Sequence, residues 1–413
     1  MSKTTEQYLE TDIIIVGAGM AGCLQALAIA KKSPTIEIIL IDNNPEQLQK
    51  GAHPGFDARS IALSAGSCQL LEQLGLWSAI AQSAQPIDDI HISDRHRLGI
   101  VDLEPPQSGQ PFGYVVELQN VGMALQQQLA LYPQIKRFYN SALINTTKQV
   151  DHIVCELSGD RSTQQYIKTK LCIAADGANS HTNQLLSIHS TQSDYGCSAV
   201  IANISVNKTH QNRAYERFTE AGPLALLPLS DNRYSLVWSI KNSDLNALLE
   251  LDEQGFLDKL QQAFGFRAGI FMKAGRRDSY PLKLSKADRP ITHRGVAIGN
   301  AAHCLHPVMG QGFNLGMRDL SVLAGVIAQL DDIKQLGEFS MLDRYWLARQ
   351  RDHNTTITMT DSIVRIFSNN DWPLVLGRTI ALQAISLFPS LGTPIVKQAK
   401  GQFNLFISEN KKS

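Results

Sequence analysis

The sequence predicts an α/β chain, α+β overall: a parallel-sheet layer, an antiparallel sheet inserted into it, and a helical C-terminal tail. Three observations carry this. An apolar run ending in spaced glycines opens the chain, short β-rich runs between turn residues fill its middle, and helical periodicity closes it. At 413 residues the chain is too long for one compact core, so more than one domain is expected. The expected division gives 1–85, 112–188 and 285–342 to the first domain, 86–111 and 189–284 to the inserted one, and 343–413 to the tail.

The opening run, Thr11 to Cys23, reads as a buried strand (Ile13 to Val16) entering a turn with glycines at 17, 19 and 22. An apolar helix, Leu24 to Ala30, follows, and a second β-rich run, Ile36 to Ile41, ends on Asp42. Strand, glycine turn, helix and acidic terminus together make a dinucleotide-binding fingerprint. Gly17 permits the tight turn, Gly19 lets backbone N–H groups approach a pyrophosphate, and Gly22 lets helix and strand pack closely. The helix N-terminus faces the phosphates and Asp42 accepts from ribose hydroxyls. NAD and FAD both satisfy this pattern. Ile13 to Ala30 is apolar enough to imitate a membrane span, but the glycine register and the polar Gln25 favour the nucleotide reading.

Composition narrows the class. The 38 basic and 38 acidic residues cancel, which gives no footprint for nucleic acid. Six cysteines are scattered without a CxxC pair, which fits a reducing compartment and excludes a zinc ribbon or redox dithiol. The first eleven residues carry acids and no basic-then-apolar pattern, so no signal peptide is expected there. A cytoplasmic protein is the expectation.

His53 to Leu63 leads into a helix at Ser64 to Leu74. Arg59 there is either a surface cation or an arginine folded back onto the pyrophosphate, where its planar fork suits phosphate oxygens. Ile87 to Leu103 alternates like strands, and Val121 to Leu131 reads as a helix. A hairpin, Ile153 to Leu157 and Tyr166 to Ile173, runs into Asp176-Gly177, placing a carboxylate and a flexible turn at the carboxyl edge of a sheet. An ordinary Asp-Gly turn is the plainer reading. Strands at Ala199–Val206, Arg213–Phe218, Leu224–Pro228 and Tyr234–Ile240, a helix at Leu251–Phe264 and a strand at Ser279–Leu284 form the inserted antiparallel sheet.

The second informative stretch begins with a short buried strand ending at Gly299-Asn300. Gly310, Gly312 and Gly316 permit close backbone approach, and a helix from about Asn314 to Leu330 follows, its N-terminus suited to negative charge on a flat cofactor ring. His303 and His306 lack an acidic or cysteine partner at useful spacing, so no metal is expected. In the tail, Leu374 to Leu391 is unusually apolar and reads as a packed helix, or as a surface for a partner or lipid that would allow peripheral contact at the inner face of the membrane.

The N-terminal glycine motif, the Ala175-Asp176-Gly177 turn and the late Gly299-Asn300 turn occur in an order and spacing that resemble the single-component FAD-dependent aromatic hydroxylases related to para-hydroxybenzoate hydroxylase. The resemblance spans nearly the whole chain and implies a Rossmann-like FAD-binding domain with a substrate domain inserted. It assigns Gly17, Gly19, Gly22 and Asp42 to the ADP half of FAD, Asp176 and Gly177 to the pyrophosphate and nicotinamide route, and Gly299 and Asn300 to the ribityl and pyrophosphate. Gly310, Gln311 and Gly312 fall against the isoalloxazine, and Asn314 is expected among the cofactor-binding residues. Asp57 to Leu63, Phe218 to Pro228 and His306 to Gly316 are similar to the ubiquinone-biosynthesis hydroxylases, with His53–Asp57 and Arg213–Phe218 favouring the branch that acts on 2-polyprenyl-6-methoxyphenol. Two departures stand out: the late motif has Asn300 where the family has Asp, and Asn183 stands where the family has Arg seven residues after the mid-chain Asp.

The resemblance implies FAD reduced by NAD(P)H, a flavin C4a-hydroperoxide formed with O2, and hydroxylation of a prenylated phenol, alongside other ubiquinone-biosynthesis proteins. No acid–base side chain stands out, and the backbone near Pro307, Gly310, Gln311 and Gly312 is the expected reaction site. Phe218, Leu224, Leu226, Pro228 and Trp238 are candidates for the prenyl channel, with packing in their own sheet the plainer alternative. A sister hydroxylase acting at another ring position, a flavin-dependent prenyl reductase and a non-enzymatic prenyl-binding protein stay open as alternatives.

Overall fold

The computed structural model describes residues 8–46, 59–95, 99–104, 109–159 and 165–367. The His53–Asp57 motif and the apolar stretch Leu374–Leu391 lie outside the described residues.

The strand Tyr8–Val16 is the centre of an eight-stranded sheet. It pairs in parallel with Ile38–Ile41 on one side and Gln165–Ala174 on the other, so that Ile13 faces Ile38 and Val16 faces Ala174. Ile135–Phe138 extends the parallel order beyond Ile38–Ile41, and Gly295–Ala297 extends it beyond Gln165–Ala174. Alternation divides the apolar run between two cores. Ile13 and Ile15 pack with the helices, whereas Ile14 and Val16 pack with Leu143, Ile153 and Ile167 of an antiparallel meander on the other face. Burial on both faces is why the run is continuously hydrophobic. Ile13, Ile14 and Ile15 have no exposed surface, and each contributes about 1.5–3 kcal/mol from burial.

The helix Met20–Lys32 starts earlier than expected, directly at the glycine turn, and is buried from Gly22 through Ala30. It packs against the sheet, the helix Leu118–Leu129 and the helix Gln311–Ala328. A protein layer on several sides explains an apolar helix that is not a membrane span. Among the described residues no helix is long and apolar enough to cross a membrane.

A second, nine-stranded sheet joins Ser190–Val206, Arg213–Thr219, Gly222–Leu229, Arg233–Lys241 and Asp278–Ala287 to Asp89–Asp94 and Ile100–Leu103. Its pairings are antiparallel except one: Arg213–Thr219 runs parallel to Asp89–Asp94, which enters from an earlier part of the chain. The helix Glu253–Phe264, capped by Asp252 accepting from the Gly255 N–H at 2.8 Å, covers one face. A three-stranded sheet of Ser60–Ser64, Gly113–Glu117 and Gln85–Ile87 was not expected from the sequence. These strands are three to five residues long and are set by pairing with one another rather than by local pattern. The helix Phe339–Phe367 ends the described chain.

Candidate active site

The three glycine motifs meet by backbone contact. Gly17 turns the chain at φ +105°, and a Cβ there would lie 2.5 Å from the Ala175 carbonyl oxygen. A Cβ on Gly22 would lie 1.8 Å from the Gly17 carbonyl oxygen, and one on Gly299 would lie 2.9 Å from the Ala21 Cβ. These glycines are demanded by close packing. Gly19 differs: a Cβ there would meet nothing within 4 Å, and Gly177 opens on similar space. Gly19 is the N-cap of the helix Met20–Lys32, with no side-chain cap on its first turn. Its amides therefore face a cradle that a Cβ would narrow and that an anion suits. Asn300 is exposed beside it on the turn that backs onto Ala21.

Asp42 is buried at the end of the strand Ile38–Ile41. One carboxylate oxygen accepts from the Ala18 N–H at 2.6 Å, and the other accepts from the Asn44 backbone and side-chain N–H groups, each at 2.8 Å. It thus fixes the glycine turn from below. Asp176 accepts from the Ser180 hydroxyl at 2.5 Å and from the Thr182 N–H and hydroxyl at 3.0 and 2.8 Å. That carboxylate anchors the short helix His181–Leu185. Asn183 then donates from Nδ2 to the Ala301 carbonyl at 2.7 Å, tying the mid-chain turn to the late one. The residue that departs from the family pattern here serves as a strut. Arg59 lies half-buried at the start of the strand Ser60–Ser64.

Pro307 leads into a turn in which Met309 (φ 52°, ψ 20°) and Gly310 (φ 62°, ψ 20°) are both left-handed. The helix Gln311–Ala328 begins immediately after, three residues before the expected start. Gln311 is buried, and Gly312 faces Leu305. Asn314 spends its amide on the protein itself. Its Oδ1 accepts from the Ser64 N–H and the Ser67 hydroxyl at 2.9 and 2.7 Å, and its Nδ2 donates to the Ala62 and Gly310 carbonyls at 3.0 and 2.8 Å. It holds the turn against the small sheet.

Beside that turn is a cavity of about 50 Å³, lined mainly by apolar groups including Ala62, Ile87, Phe112 and Leu227, with Met309 and Glu216 in its wall. Sequence reading missed Glu216. It sits on the strand Arg213–Thr219 between Ala214 and Phe218, which belong to an apolar cluster with Ile92 and Phe112. A carboxyl on the inward face of an alternating strand was the available signal. It is 5% exposed. Burial pushes its pKa up to about 8, opposed by the Met309 backbone N–H hydrogen-bonded to it. Its Oε1 is buried with no hydrogen-bond partner among the described residues.

The candidates for the prenyl channel separate. Phe218 lies on the cavity side, stacked on Phe367 with ring centroids 3.9 Å apart. Leu226 and Trp238 belong to the opposite core, under the helix Glu253–Phe264, as does Leu224. Pro228 shares their strand parity and pairs with Tyr234 of that core. The structure does not bring these four to the cavity, because alternation turns them to the other face.

His303 does acquire an acid, one that spacing concealed. Asp319 accepts from His303 Nε2 at 2.9 Å and His353 Nε2 at 2.8 Å, with all three buried. These are the atoms a metal site would use, but Arg349 Nε donates to the same Asp319 oxygen as His353, at 2.6 Å. The guanidinium already supplies the balancing charge and opposes a cation. Arg349 also pairs with Asp352, which accepts from Arg318 at 2.7 Å. The charges hold the Asp319 carboxyl well below its usual range even though burial pushes the other way. The network clamps the His303–Pro307 segment to two helices. His306, buried by the turn, is pushed down to about 4 by desolvation.

A phosphate cradle, two further glycine turns and a late helix around one parallel sheet are the arrangement of a dinucleotide flavoprotein. The family model described as an FAD binding domain matches residues 10–358. The chain belongs to the FAD-binding domain family. It is an FAD-dependent monooxygenase of the kind named as hydroxylases. The ubiquinone hydroxylase UbiL of Rhodospirillum rubrum is 32% identical, over 95% of this chain and 90% of its own. The 3-demethoxyubiquinol 3-hydroxylase of Escherichia coli is 30% identical, over 95% of this chain and 98% of its own. p-Nitrophenol 4-monooxygenase PnpA of Pseudomonas putida shares the fold, with a TM-score of 0.76 at 16% identity, over 96% of this chain and all of that one. The residues present fit FAD: the space at Gly19 admits a pyrophosphate, and Asn300 is open to a ribityl hydroxyl.

Proposed function

We propose that this flavoprotein hydroxylates the ring of a polyprenylated phenol in ubiquinone biosynthesis, with 2-polyprenyl-6-methoxyphenol as substrate and NAD(P)H as electron donor. FAD, when bound, supplies the electron transfer and the activation of O2. Gly19 and the amides opening the helix Met20–Lys32 hold its pyrophosphate, with Asp42 bracing the turn and receiving the ribose. Gly177 lines the approach, and Asn300 takes a ribityl hydroxyl without adding charge. The turn at Met309–Gly312 sets the ring plane, and Asn314 acts through it as a positioning residue. Phe112 and Leu227 give a substituent of the aromatic substrate an apolar recess, and with Phe218 behind them they keep water out of it.

The observation that carries this reading is the apolar cavity abutting the left-handed turn that opens the late helix. A reductase of prenyl chains has no need of a small apolar recess with one polar handle beside the flavin. A sister hydroxylase at another ring position is the second reading. It is favoured by the 30% identity to a relative named for hydroxylation at position 3. The quinone intermediates of cells lacking this protein test between them. Accumulation of 2-polyprenyl-6-methoxyphenol is expected, and accumulation of a demethoxyubiquinol would reassign the chain to the sister reaction.

A further inference from the structure

One buried titratable group outside the mechanism above, Glu216, stands in the cavity wall itself with a buried atom, Oε1, that is unpartnered among the described residues. Its carboxyl takes the Met309 N–H. Its strand neighbours on that face are Ala225 and Ile92, neither polar. A cavity of about 50 Å³ is several times what one water needs, yet well under the roughly 150 Å³ that a benzene-sized guest occupies. It admits a hydroxyl or methoxy group but not a ring.

We propose that Glu216 is a specificity-determining residue, a neutral carboxylic acid whose Oε1–H donates a hydrogen bond to an oxygen substituent of the aromatic substrate as that substituent enters the cavity. The ring itself stays outside, against the Met309–Gly310 turn, so the contact orients which carbon faces the flavin. This rests on the reading of the chain as a phenol hydroxylase and adds the group that reads the phenol.

The surroundings keep the acid neutral. Burial raises its pKa to about 8, and among the described residues no cation faces it. The titratable groups on the elements packed around it include Arg213, Tyr215 and Arg217, which alternate to the other face of its own strand, Asp89, His91 and Asp94 on the adjacent strand, Tyr114 and Glu117 on the strand Gly113–Glu117, His306 in the segment leading to the turn, and Asp361 paired with Arg365 on the last described helix. The effects resolved on Glu216 come from burial and Met309 alone. Donation is therefore available below about pH 8 and lost above it, where the carboxylate can only accept.

The test uses FAD-loaded protein and reads ligand binding from the flavin absorption spectrum. The probes are a short-chain 2-prenylanisole, whose ether oxygen can only accept, and the matching prenylbenzene, compared across about pH 6 to 9.5. Wild type is expected to prefer the prenylanisole over the prenylbenzene by about tenfold at neutral pH, the factor a single well-made hydrogen bond gives, and to lose that preference as pH rises through about 8. Glu216→Gln keeps an acceptor for Met309 and an N–H donor for the ligand, so its preference persists and becomes independent of pH. Glu216→Leu loses the preference at every pH while still binding prenylbenzene. A protonated-carboxyl infrared band present in wild type at neutral pH and absent in Glu216→Gln reports the acid directly. An unchanged preference in Glu216→Leu, or one in wild type that ignores pH, overturns the role of Glu216 alone. If neither probe perturbs the wild-type flavin, the phenol-hydroxylase reading falls and the handle with it.

Discussion

Glu216→Gln is expected to make the folded protein more stable at neutral pH, by an amount that grows with pH. The folded-state pKa of the wild-type carboxyl is raised to about 8 from an ordinary 4.5. A raised acid contributes stability that is fully present below the unfolded pKa and is lost as pH rises through the folded one. Each unit between the two values costs about 1.4 kcal/mol. At pH 7 the wild type has lost about 3 kcal/mol, and near pH 8 the loss levels off at about 5 kcal/mol. Glutamine does not titrate, and it retains the carbonyl that Met309 needs. The assay is urea unfolding of both proteins, each saturated with FAD, at intervals from about pH 5 to 8.5. Any fixed packing difference between the side chains shifts the whole comparison, so the slope is diagnostic. A stability difference that does not change with pH would refute a buried, neutral Glu216.

Three further outcomes follow from the geometry. Gly22→Ala puts a Cβ 1.8 Å from the Gly17 carbonyl and is expected to lose both thermal stability and FAD content, whereas Gly19→Ala, with open space around its Cβ, keeps the fold and loses FAD affinity; calorimetry beside flavin absorbance separates them. Asp319→Asn leaves Arg349 buried without its main partner and is expected to cost about 3–5 kcal/mol, read as a fall in unfolding midpoint. The pKa of His306 is depressed to about 4, so its contribution is present above about 6.5 and lost as pH falls, amounting to about 3 kcal/mol by pH 4. His306→Gln should flatten that acid limb in denaturant titrations, and an unchanged limb would contradict the burial argument.

Local chemistry was legible in the sequence, and long-range geometry was not. The fingerprint strand, its glycine turn and the hairpin into Asp176 are written in contiguous residues, and the structure has them within a few positions. The start of the late helix was read late because Gly310 and Gly312 look like loop, whereas a left-handed glycine is what lets the helix begin at Gln311. Asn314 looked like a ligand group, yet its partners Ser64 and Ser67 lie about 250 positions away, beyond any spacing rule. The same holds for Asp319, which reaches His353 34 positions further on. Leu224, Leu226 and Pro228 alternate along one strand and so share a face, but parity in a sequence cannot say which face meets the cavity. Glu216 was visible as a letter on an inward face and was overlooked because no second acid–base residue stood beside it.

The central claim is that this flavoprotein inserts oxygen into a prenylated phenol. The most direct measurement is O2 uptake by purified, FAD-loaded protein given NAD(P)H and 2-polyprenyl-6-methoxyphenol, with the product analysed by mass spectrometry under isotopic oxygen. The account predicts uptake matched by a ring hydroxyl carrying the label. NAD(P)H oxidation without label in the ring, or reduction of the prenyl chain in its place, would contradict it.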